Sequence, residues 1–139
     1  MLSNKDYCDY DTCVALVDLG MRITSRKVYS DRNTLKHSSR GITYTVRTAS
    51  AMGWVIAIPL YEAQKWLREE KGIVVDVSFS PFGYFASMYT NVRNVESEIL
   101  KERFKFEWSE KLFGEEDHDS YEGALLEGIK EAVKILKEK

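Results

Sequence analysis

The chain has 139 residues, 44% of them hydrophobic and 30% charged, with a net charge of −2, which predicts one soluble globular domain over 1–139. Its longest apolar run, around Trp54 to Leu60, falls far short of the roughly 18 residues a membrane-spanning helix needs, and the opening MLSNKDYCDYD has no apolar signal core, so the expected place is the cytoplasm and not the membrane. The charge is uneven: Arg22 to Arg47 holds seven Lys or Arg against the single acid Asp31, which can attract an anion locally without making the whole molecule a polyanion binder.

In chain order, Asp11 or Thr12 is placed to cap a short helix, TCVALVDLG. In it Cys13, Leu16 and Val17 follow helical spacing and Gly20 suits the left-handed position after the end. Residues 24–41 are polar and turn-rich, with Val28 and Tyr29 in one short strand. ITYTVRTA alternates Ile42, Tyr44 and Val46 with Thr43, Thr45 and Arg47, as a half-buried strand does. Ser50 to Gly53 is a turn, and WVIAI is β-branched and apolar enough for another strand. Pro59 fits the first position of a central helix over 59–71. Leu60, Ala63, Trp66 and Leu67 share its apolar face, and Gly72 ends it.

IVVDVSFS alternates Ile73, Val75, Val77 and Phe79 toward one side, Ser80-Pro81-Phe82-Gly83 is a turn, and YFASMYTNV returns; 73–92 is therefore a hairpin. Residues 93–102 read equally as helical turn, loop or strand extension. RFKFEWS alternates Phe104, Phe106 and Trp108 with polar residues and predicts a strand, and GEEDHD is an acidic loop. Asp119 with Glu122 predicts a capping box for the last helix. Tyr121, Leu125, Ile129, Ala132 and Leu136 form that helix's apolar face. Gly128 shares the face at a cost of about 1 kcal/mol against Ala, a placement that predicts close approach to a strand. The fold class is α+β: an antiparallel sheet of about three to five strands covered by amphipathic helices, in the order α-β-β-α-β-β-β-α.

The basic segment 22–47 is the sharpest local feature. Arg26, Lys27, Arg32, Lys36, His37, Ser38, Ser39 and Arg40 offer guanidinium, ammonium, imidazole and hydroxyl groups to a phosphate. The same residues also suit a solvated loop, and the glycines never reach a phosphate-loop or dinucleotide spacing. Cys8 and Cys13 are expected as reduced thiols. With only His37 and His118 to join them, they make no zinc pattern, and no metal or cofactor is expected. His118 among its acids suits a solvated loop at a helix start. The α-β-β-β-α order of 59–139 is also that of a double-stranded-RNA-binding domain, but its last helix begins in EEDHDSYE, which repels phosphate. Trp54, Trp66 and Trp108 are expected in the core. Tyr61, Phe82, Tyr84 and Tyr89 are the aromatics expected at the surface, where they mark a candidate partner surface.

TCVALVDLGM, IPLYEAQKWLREEKGIVVDV and DSYEGALLEGIKEAVKIL resemble a group of small proteins of gut Bacteroides-type phages and prophages. The group's pattern has a Trp-Leu-Arg-Glu helix, matched by Trp66-Leu67-Arg68-Glu69, and a C-terminal Tyr-Glu-Glu-Ala helix, where Gly123 replaces the second Glu. The resemblance covers about half of the chain and brings no catalytic residues with it. It implies an accessory protein of a mobile element, acting in the host bacterial cytoplasm. With no catalytic constellation in the sequence, the expected function is non-enzymatic binding of a host or phage protein or of a second copy of the chain. The alternative is binding of a nucleotide or nucleic acid, such as sequestration of a nucleotide signal, through segment 22–47.

Overall fold

The computed structural model describes residues 4–38, 41–81, 83–90 and 120–138. They form an α+β fold whose strand pairings are all antiparallel. The chain divides into two compact units, Met1–Pro59 and Leu60–Lys139. The expected strand RFKFEWS, the acidic loop with His118, the segment 93–102 and the Asp119 cap lie outside the described residues.

In the first unit, helix α1 spans Tyr10–Asp18. Its cap is Asp9, not Asp11 or Thr12: the Asp9 carboxylate accepts the Thr12 N–H at 2.9 Å, because Asp9 is still extended and its side chain can turn back over the first turn. Gly20, at φ +108, ends the helix as expected. Its N–H donates to the Val17 carbonyl, and the Met21 N–H to the Leu16 carbonyl, the double bond of a Schellman end. Leu16 and Met21, the two positions where that motif usually carries apolar side chains, are both buried.

Strands β1 (Thr24–Ser25), β2 (Lys27–Asp31), β3 (Thr34–His37) and β4 (Tyr44–Thr45) follow. The alternation in ITYTVRTA had predicted a strand through Arg47, but Val46–Ala51 is a helix, α2. Thr45 caps it in a reciprocal box with Thr48: each hydroxyl accepts the other's backbone N–H, at 3.1 and 2.8 Å. That box satisfies two amide donors at once, and it outweighs a two-residue alternation. Strand β5 (Val55–Ile56) then joins β2, giving the order β3-β2-β5, while β1 pairs with β4.

Cys8 and Cys13 are both fully buried. They occupy the positions just before the cap and in the second turn of α1, the pair that closes a hydrophobic staple. Around them, the Cys8 carbonyl accepts the Tyr29 hydroxyl at 2.6 Å, the Ile58 N–H donates to Cys13 Sγ, and the Cys8 N–H donates to the Ile58 carbonyl. The hydrogen-bonded Cys13 thiol, then burial, push the Cys8 thiol well up. Burial, then the neighbouring cysteines, raise the Tyr29 phenol. Both groups are neutral when protonated, so the unfolded chain loses these protons first as pH rises. The stability they support is complete below about pH 8.5 and declines above it, as the unfolded thiol and then the phenol ionise. A melting temperature that falls above that pH, with the wild type falling more steeply than Tyr29→Phe once the pH passes about 10, is the expected result; curves that stay parallel above about pH 10 would contradict it.

In the second unit, α3 is Leu60–Glu70 and Gly72 follows it at φ +69. Strands β6 (Ile73–Ser80) and β7 (Gly83–Thr90) form the expected hairpin, with Val75 opposite Met88, Val77 opposite Ala86 and Phe79 opposite Tyr84. Helix α4 spans Tyr121–Lys137 and is capped by Ser120, whose hydroxyl accepts the Gly123 N–H at 3.0 Å. With glycine at the third position, the reciprocal half of a capping box has no side chain to make it. Helices α3 and α4 cover the Val75 face of the hairpin, burying Leu67, Ile73, Val75, Met88 and Ile129. Gly128 makes the close approach that the sequence predicts: a Cβ there would lie 2.5 Å from Val75 Cγ1 and 2.9 Å from Ala86 Cβ. Trp66, like Trp54 in the first unit, is only half-buried rather than in the core. Its ring is covered on the outside by the Lys71 ammonium at 5.4 Å, as a long amphipathic stem allows.

Candidate functional site

The expected anion site lies on the β2–β3 hairpin, and strand alternation divides it. Lys27 pairs with His37 and Val28 with Lys36, so Lys27 and Lys36 point to opposite faces. The Lys27 ammonium sits 5.1 Å from the Tyr7 ring centre and the Lys36 ammonium 4.7 Å from that of Trp54. Arg32 lies over Tyr10 at 5.4 Å and reaches both carboxylate oxygens of Asp11, at 2.6 and 2.7 Å. Each of these cations therefore rests on its own aromatic ring. Asp31 closes the turn between the strands. The Asn33 N–H and then the Thr34 hydroxyl hold its carboxyl below the ordinary range. Arg26 and His37 are exposed. Ser38 is buried, its N–H donates to the Arg26 carbonyl, and its hydroxyl has no partner among the described residues. Ser39 and Arg40 lie outside those residues.

The two ends of the basic segment, by contrast, meet. Thr24 of β1 pairs with Thr45 of β4, and Arg22 and Arg47 each stand two places beyond a paired threonine. Both arginines line one open cleft of about 740 Å³, together with the two threonines and Ser50, over a floor that includes Val17, Ile23 and Val46. Among the described residues no carboxylate lines it. The Arg22 guanidinium is held in place by one nitrogen, Nη1, which donates to the Val17 and Met21 carbonyls at 3.0 and 2.8 Å. Neither arginine has a carboxylate partner among the described residues. A volume of this size lies within the range of small-molecule sites.

The second unit carries an aromatic row. Phe79 and Tyr84 meet edge to face at 5.2 Å, and Tyr84 meets Tyr121 at 6.2 Å. Phe79 is 72% exposed and Tyr121 44%. Alternation rightly assigns Phe79 to the face of Ile73 and Val75, but the described residues cover that face only in part. From Val75 to Phe79 is roughly 13 Å along a strand, while from Gly128 back to Tyr121 is roughly 10 Å along a helix. Helix α4 therefore starts short of the hairpin tip. Of the four aromatics expected at the surface, Tyr84 belongs to this row. Tyr61 is 50% exposed on α3, and Tyr89, 46% exposed, points to the opposite face of the hairpin. Phe82 lies outside the described residues. Phe79 and Tyr121 escape sequence reading because each continues an apolar period past the end of its cover.

Among the described residues no helix is long and apolar enough to cross a membrane, and no three His, Cys, Asp or Glu side chains come together as a metal site. In comparisons with known proteins, no family model, curated protein or solved structure matches the chain.

Proposed function

We propose that this chain is a non-enzymatic accessory protein of a phage or prophage that acts in the host cytoplasm by holding a partner protein on the row Phe79–Tyr84–Tyr121. The observation that carries the reading is Phe79, 72% exposed yet fixed edge-on against Tyr84. Rigid exposed aromatics bury large area on binding at little entropic cost, and such residues dominate binding energy at protein interfaces. The partner is a host or phage protein that inserts an apolar side chain beside Phe79. Nucleotide or nucleic-acid binding through the hairpin cations has less support, because Lys27, Arg32 and Lys36 lie on three different rings.

Affinity capture from bacterial lysate with the wild type and with Phe79→Ser tests the reading. One protein retained in near-stoichiometric amount by the wild type, and about tenfold less by the variant at equal thermal stability, is expected. Equal retention by both would contradict it. A concentration-dependent dimer of the purified wild type, abolished in Phe79→Ser, would identify the partner as a second copy.

A further inference from the structure

We infer that the Arg22–Arg47 cleft is a binding site for an organic phosphate monoester. Arg22 and Arg47 line one cleft, with no acid among its walls in the described residues. Two like charges lining one cleft repel one another, and a phosphate dianion removes that repulsion while matching the planar donor geometry of guanidinium. The Arg22 group is preorganised: its Nη1 is bound to two backbone carbonyl oxygens, which leaves Nε and Nη2 to donate. The Thr24 and Ser50 hydroxyls in the same walls can donate to the remaining phosphate oxygens. The Thr45 hydroxyl is already engaged with Thr48.

The apolar floor indicates that the ligand carries an organic group. Inorganic phosphate would leave Val17, Ile23 and Val46 uncovered. A second pocket, of about 170 Å³, shares Val17, Val46 and Ser50 and is walled by Trp54 and Asp18; its apolar part has room for an organic group, and Asp18 keeps the phosphate itself on the Arg22–Arg47 side. This site differs from the hairpin cations of the β2–β3 turn, and it uses residues of the first unit whereas the aromatic row belongs to the second, so variants made here leave the protein-binding residues unaltered.

The test is isothermal titration of the full chain with adenosine 5′-monophosphate, glucose 6-phosphate, adenosine and inorganic phosphate, using the wild type, Arg47→Gln, Arg26→Gln and Lys65→Gln, the last an exposed position on α3. Arg47 is exposed and without a partner among the described residues, so its loss leaves the fold intact. Binding of at least one monoester, tighter than inorganic phosphate and weakened about tenfold or more by Arg47→Gln alone, is expected. No binding of either monoester at millimolar concentration would overturn the proposal. So would equal weakening by Lys65→Gln, which would mean general charge attraction, or weakening by Arg26→Gln instead, which would move the site to the hairpin. Inorganic phosphate binding as tightly as the monoesters would overturn the ligand class.

Discussion

Gly128→Ala is expected to destabilise the second unit by about 1–2 kcal/mol, although alanine is the better helix former by about 1 kcal/mol. The new methyl would stand 2.5 Å from Val75 Cγ1 and 2.9 Å from Ala86 Cβ. Val75 can answer by changing rotamer at some cost, since a β-branched side chain has few alternatives. Ala86 cannot answer at all, because its Cβ is fixed to the β7 backbone, so α4 must lift away from the hairpin. The lift thins the contact around Val75, Met88 and Ile129, all buried. Denaturant unfolding of the wild type, Gly128→Ala and the double variant Gly128→Ala/Val75→Ala measures it. The double variant should show less than the summed loss, because removing Cγ1 relieves the nearer clash. A more stable Gly128→Ala would mean that helix and hairpin stand further apart than described.

Leu16→Ala is expected to cost the first unit about 3 kcal/mol. Leu16 is fully buried, and its carbonyl accepts the Met21 N–H that closes the end of α1. The backbone bond survives the substitution, but the buried apolar side chain is lost and a cavity remains. A unit of this size has little surplus stability, so the loss should bring it close to unfolding. A denaturation midpoint lowered by that amount is the expected record. A change below about 1 kcal/mol would show that the site collapses around the shorter side chain.

Legibility differs between these elements for physical reasons. The close approach at Gly128 is readable because a glycine on an apolar helix face has few other uses. The Gly20 ending is readable because left-handed backbone favours glycine. Helix α2 is not readable, since Thr45–Thr48 makes its box from two threonines within a stretch that also alternates like a strand. The cap at Asp9 is hidden by the equally suitable Asp11 and Thr12 next to it. For the candidate sites, composition marks segment 22–47 as basic, yet the cations packed most densely in sequence are separated by strand alternation and taken up by Tyr7, Tyr10 and Trp54. The pair that shares a cleft sits at the two ends of the segment, joined by the Thr24–Thr45 pairing, a long-range contact that local pattern does not encode. The aromatic row is half legible: Tyr84 is expected at the surface, whereas Phe79 and Tyr121 are expected to point inward.

The central claim is that the hairpin tip holds a partner protein, and site-specific photo-cross-linking tests it most directly. A benzophenone side chain placed at Phe79 keeps an aromatic group in the row, and the same group at Met52, 54% exposed in the first unit, serves as control. Irradiation in bacterial cells should give one discrete adduct from position 79, reduced when Tyr121→Ser is added, and none from position 52. No adduct from position 79, or the same adducts from both positions, would contradict the claim.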